Sequence, residues 1–111
     1  MGAGNLAFGG VQRSYSFGFF HADRIPNSTT AVVCPNMACE QINIQNDPTS
    51  TGNITLGDED TLPITGNGWV LQPGETTGWL PVENLNLIWH VDSDATSYLN
   101  YKMVRGGKAQ V

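Results

Sequence analysis

Apolar and polar residues alternate with period two along much of this chain, the spacing of strands that bury one face. The clearest run is Leu85-Asn86-Leu87-Ile88-Trp89-His90-Val91. It predicts a strand over 85–91 with Leu85, Leu87, Trp89 and Val91 facing the core. Three more strands are predicted around it, over 68–72, 76–82 and 97–104. Pro73-Gly74 and Asp92-Ser93-Asp94 supply the turns between them. Proline presets φ, glycine admits positive φ, and Asp and Ser side chains bond nearby backbone.

Upstream, residues 11–21 alternate with Val11, Arg13, Tyr15, Phe17 and Phe19 on one side, predicting a strand with an aromatic inner face. Residues 22–27 read as a polar connection ending near Pro26, and 29–33 as a short β-branched strand. Residues 38–45 predict a strand with Ile42 and Ile44 inward and Gln41, Asn43 and Gln45 outward. A loop is expected over 46–52, then a strand over 53–57 with Ile54 and Leu56 inward. An acidic, Thr- and Gly-rich loop follows over 58–67, with a bridge around 62–65. About eight strands at such intervals predict an all-β chain, a small antiparallel, jelly-roll-like β-sandwich. Residues 11–104 make the sandwich domain, and 105–111 form a loose C-terminal tail. Residues 1–10 hold four Gly and two isolated apolar side chains, Leu6 and Phe8, and read as an extended N-terminal arm.

Composition sharpens this picture in two ways. Only 14% of the 111 residues are charged, so much of the surface must be Asn, Gln, Thr, Ser and Gly, and some is expected to be covered by other subunits. The formal net charge of −5 argues against nucleic acid and against an anionic membrane as partners. No run of about 20 apolar residues is present to span a bilayer. The N-terminus lacks the basic-then-apolar layout of a signal peptide, so routine secretion is not expected.

Candidate chemistry is sparse. Cys34 and Cys39 bracket a turn and could form a disulfide, but reduced structural thiols are the expectation for a chain made in a reducing cytosol. His21 and His90 lie on other strands without zinc spacing, so neither a metal nor another cofactor is expected. No nucleophile–base set or carboxylate pair can be assembled, and no catalytic residue is assigned. Asp58-Glu59-Asp60 and Asp92-Ser93-Asp94 lack the full calcium-loop pattern and read as solvated turns. Trp69, Trp79 and Trp89 recur every ten residues. Packing is their expected role, with Trp89 in the core, and a sugar-stacking platform is the alternative. Asn27-Ser28-Thr29 and Asn53-Ile54-Thr55 match the glycosylation sequon, by chance in an Asn- and Thr-rich chain.

Several segments resemble a recurring module of small structural proteins in tailed bacteriophages. They are Ile44-Gln45-Asn46, Leu56-Gly57-Asp58, the turn Leu71-Gln72-Pro73-Gly74-Glu75, the run from Leu80 to Ile88, and Tyr98-Leu99-Asn100-Tyr101. The resemblance covers roughly two-thirds of the chain and leaves out the Gly-rich start and the cysteine pair. It implies a non-enzymatic virion protein, first of all a capsid decoration (cement) protein bound to the outside of the head. Its implied partners are the major capsid protein and copies of itself, as a dimer or trimer. Leu6, Phe8 and Trp79 are the expected subunit or capsid contacts. A tail, neck or fibre module and a carbohydrate-binding module for host adhesion are the alternatives.

Overall fold

The computed structural model describes residues 19–60 and 68–105. The expected arm, with Leu6 and Phe8, residues 11–18 of the expected first strand, the expected bridge around 62–65 and the expected tail after Arg105 lie outside these residues. The described chain forms eight strands: β1 Phe19–Pro26, β2 Val32–Val33, β3 Gln41–Asn46, β4 Ile54–Gly57, β5 Trp69–Leu71, β6 Thr76–Leu80, β7 Trp89–Asp92 and β8 Tyr98–Arg105. They make two four-stranded sheets, ordered β1-β8-β3-β6 and β2-β7-β4-β5. All pairings are antiparallel. The pairs β1/β8, β2/β7, β3/β6 and β4/β5 are nested, as in one long hairpin folded over on itself. The pairs β3/β8 and β4/β7 then complete the two sheets. This is jelly-roll connectivity, the sandwich that the alternation predicts.

Residues directly opposite each other on paired strands share a face. In the first sheet Ile42 faces Met103, Ile44 faces Tyr101, and Ile25 faces Leu99. Ile42, Ile44, Leu99 and Met103 are fully buried, and Ile54, Leu56 and Leu71 meet them from the second sheet. Each such aliphatic side chain contributes roughly 1.5–3 kcal/mol of transfer free energy.

Two expected elements differ. Residues 85–91 are not one strand: Leu85–Leu87 is a 3-10 turn and pairing begins at Trp89. Asn84 causes the break. Its Oδ1 accepts from the backbone N–H groups of Met37 (3.0 Å) and Asn86 (2.9 Å), and its Nδ2 donates to Asn36 Oδ1 (2.8 Å). An amide that bonds backbone in this way competes with the strand ladder. The extra turn also reverses the face assignment. His90 faces Leu56 and Asp92 faces Ile54, so these polar residues point into the sandwich. Trp89 and Val91 share the opposite face with Thr55, where Val91 and Thr55 are themselves buried, as expected for Val91, while Leu87 stands exposed.

The second difference lies at 22–27, where β1 continues to Pro26 in unbroken register with β8. Asp23 and Arg24 are polar because β1 is an edge strand with water beside it, and a proline at the end of an edge strand removes no needed ladder bond. The other boundaries move by a few residues. The strand expected over 29–33 shrinks to β2, because Ser28 Oγ accepts from Thr30 N–H (3.2 Å) and donates to Thr30 O (2.8 Å) in a local turn. Arg105, expected to open the tail, ends β8 opposite Phe19.

Candidate functional site

One candidate site lies on the outer face of the β1-β8-β3-β6 sheet. A groove of ≈ 370 Å³ crosses it, lined by Ala22 and Arg24 of β1, Asn43 and Gln45 of β3, and Asn100 and Lys102 of β8. Their alignment follows from register. Ala22, Lys102, Asn43 and Trp79 form one cross-strand row, and Arg24, Asn100, Gln45 and Thr76 form the next. Between these rows β6 carries one residue more than β3, a bulge in which Gly78 has φ +74. Positive φ there suits glycine, and the bulge brings Trp79 opposite Asn43 on the outer face. Thr77 Oγ1 accepts from Ile44 N–H at 3.1 Å and bonds the backbone beside the bulge. The β5–β6 turn is fixed by Pro73 and Gly74 (φ +87), with Glu75 N–H donating to Gln72 O at 2.9 Å.

The amides on the groove floor are only partly spoken for. Asn100 Nδ2 donates weakly to Gln45 Oε1 (3.5 Å) and Asp47 Oδ2 (3.4 Å), and Gln45 Nε2 to Gly74 O (3.3 Å). Asn43 Oδ1 is buried and has no hydrogen-bond partner. The Arg24 guanidinium lies 4.4 Å over the Tyr98 ring. An adjoining hollow of ≈ 340 Å³ continues past Arg24 and Tyr98 towards Asp47, Thr49 and Thr96. Asp47 accepts from Thr49 N–H (2.8 Å) and Thr49 Oγ1 (2.7 Å), which holds its carboxyl below the usual range.

A second polar cluster lies inside the sandwich. His90 and Asp92 are fully buried, with His90 Nδ1 3.0 Å from Asp92 Oδ2. The same oxygen accepts from Ser28 N–H at 2.5 Å, and Asp92 N–H donates to Ser28 O at 2.7 Å. Cys34 is also buried, and burial together with the charge of Asp92 pushes its thiol up to about 12. Spacing along the chain gives no hint that a Cys, a His and an Asp share one core. Burial keeps the Cys34 thiol protonated, and His90 Nε2 and Asp92 Oδ1 are buried without a hydrogen-bond partner.

The remaining candidates fall apart in space. The three tryptophans form no common platform. Trp79 is exposed on the outer face of the first sheet, Trp69 is exposed on edge strand β5 of the second, and Trp89 is half-buried on that sheet's outer side. Trp89 is therefore not the core residue its spacing predicts. Cys34 and Cys39 are both free and buried, and Cys39 Sγ donates to Val82 O at 3.2 Å. Asp92 is not a solvated turn residue, whereas Asp94 is a cap that accepts from Thr96 N–H and Thr51 Oγ1, each at 2.9 Å. Among the described residues no three His, Cys, Asp or Glu side chains converge as metal ligands. Comparison with protein-family models, curated proteins and solved structures finds no match to the chain.

Proposed function

We propose that this chain is a structural protein of a bacteriophage particle, a decoration protein that seats on the outside of the head and bridges neighbouring subunits. The observation that carries the reading is a self-contained jelly roll with large apolar side chains left on its surface. Val33 (45% exposed) faces Trp89 across the β2/β7 edge, and Leu87 (49%) stands two residues before that tryptophan. Exposed apolar groups on a small sandwich favour contact with another protein, and Phe20, Trp79 and Tyr98 add to them on the other sheet. The segments that resemble phage structural proteins supply central strands β3, β4 and β8 and the β5–β6 turn, so the resemblance follows the framework of the fold. Of the contacts expected from sequence, Trp79 stands exposed on the opposite sheet and is available to a partner.

Copy number tests the reading. Quantitative mass spectrometry of purified particles of the encoding phage should find hundreds of copies per particle. A few to a few dozen copies would move the protein to the tail or neck, and none would remove it from the virion. Leu87→Asp should leave the sandwich folded and lower occupancy on the head.

A further inference from the structure

The sheet that carries the groove combines amides and cations with the exposed aromatic side chains Phe20, Trp79 and Tyr98. We propose that the groove binds an acidic polysaccharide. Trp79 stacks on a sugar ring, Asn43, Gln45 and Asn100 take its hydroxyls, and Lys102 pairs with its carboxylate.

The chemistry is specific to such a ligand in three ways. A carboxamide offers donors and an acceptor in one plane, which complements adjacent hydroxyls on a pyranose ring. Three amides lie on neighbouring strands in two rows, and Asn43 Oδ1, buried and unpartnered, is an acceptor that a sugar hydroxyl satisfies after a small rotation of the amide. Next, an indole offers a flat apolar face at low conformational cost, and Trp79, beyond the residues that line the groove itself, stands directly opposite Asn43 on β6. Finally, the charge is local. The chain is acidic overall, yet two of the three described cations, Arg24 and Lys102, line this groove, against one acidic residue, Asp23. Arg24 is engaged with the Tyr98 ring and lies near enough to Asp47 to affect its titration. No carboxylate among the described residues lies within ion-pair distance of Lys102. An anionic group on the ligand supplies one.

The shape selects a chain rather than a small molecule. The groove is open and runs past Arg24 into the hydroxyl-lined hollow beside Thr49 and Thr96. A peptide strand would add to the β1 or β6 edge through its backbone, and a sheet face lined with side-chain amides does not offer that ladder. Nucleic acid is disfavoured by the net charge of −5.

The test uses the isolated full chain, so its failure and the failure of the head-binding reading are separate results. Calorimetric titration is run with hexasaccharides of polygalacturonate, hyaluronan and polysialic acid, with neutral cello- and dextran hexasaccharides, and with polyglutamate. At least one acidic oligosaccharide should bind, with affinity falling as salt rises. Trp79→Ala should abolish detectable binding. Lys102→Gln should weaken it about tenfold, the scale of one charge-assisted hydrogen bond. Trp69→Ala, on the other sheet, should leave it unchanged. Both Trp79 and Lys102 are exposed, and circular dichroism checks that their variants fold. Binding to none of the acidic sugars overturns the proposal, as does binding indifferent to Trp79→Ala. Equal binding of polyglutamate would mean the groove reads charge alone, and equal binding of neutral oligosaccharides would remove the acidic requirement. Either result overturns the assignment.

Discussion

The two sheets of this sandwich bury different chemistry at their centres. In the first, β3 and β8 turn Ile42, Ile44, Leu99 and Met103 inward and amides and Lys102 outward. In the second, β7 turns His90 and Asp92 towards Leu56 and Ile54, and on its other face buries Val91 and half-buries Trp89. One sheet obeys hydrophobic alternation, and the other turns polar residues into the sandwich at its second strand while burying both faces of that strand. The difference teaches that period two reports which residues share a face but not which face is buried. On β7 the choice is made by hydrogen bonding. Asp92 Oδ2 bonds both Ser28 N–H and His90 Nδ1, although His90 Nε2 and Asp92 Oδ1 stay buried without partners, and Asn84 sets where the strand begins.

The largest expected effects test that contrast directly. Asp92→Ala removes the acceptor of two buried N–H groups, on Ser28 and His90, at a cost of about 1–3 kcal/mol for each. Ile44→Ala, in the apolar counterpart, should cost about 2–5 kcal/mol. Urea unfolding should therefore rank the two variants as comparably damaged. If Asp92→Ala were nearly neutral, the polar cluster would contribute nothing and the contrast would be one of composition only.

A smaller effect sharpens the same point through pH. Burial raises the Cys34 thiol from 9.0 to about 12, so the unfolded chain releases this proton first as pH rises. Stability from this group is fully present below about pH 9 and is lost as pH climbs towards 12. Urea midpoints measured across that window should fall less steeply for Cys34→Ala than for the unchanged chain. In the native protein at neutral pH, Cys34 should also resist alkylation by iodoacetamide. Rapid modification would show that the core opens readily at β2.

The smallest effect belongs to Asn84. Replacing it with Ala removes the cap of the 3-10 turn and should cost about 0.5–2 kcal/mol. Hydrogen exchange should then speed up at Met37 and Asn86, whose N–H groups lose their acceptor, while β3 and β8 keep their protection. Unchanged exchange at both residues would mean that packing of Leu85, and not the amide, ends the strand.

These residues also mark how far the chain is legible without coordinates. Ile42, Ile44, Ile54 and Leu56 were readable as inward because simple alternation holds on β3 and β4. The Pro73-Gly74 turn was readable because its conformation is set by its own two residues. The break at 85–88 was not, since Asn84 acts on Met37, far away in sequence. Strand β1 was missed beyond residue 21 because an edge strand needs no apolar outer face, and Asp-Arg looks like a loop. The groove was hidden for a related reason. Asn43, Gln45, Trp79, Asn100 and Lys102 each read as ordinary outward positions, and only register across three strands places them together.

The nested pairing of the strands bears on how the chain reaches its native state. Among the described strands, only β4 and β5 pair with a neighbour in sequence. Each further pair, β3/β6, β2/β7 and β1/β8, joins residues more distant in sequence than the last. Forming the outermost pair first would close nearly the whole described chain into one loop, whereas zipping outward from β4/β5 spreads that entropic cost over successive steps. Contacts this non-local are slow to form, and folding on a timescale of milliseconds to seconds follows from topology alone. On that route β1 joins last. Until it docks, β8 presents an unpaired edge beside β3, so the newly made chain is most open to pairing with another copy late in its folding.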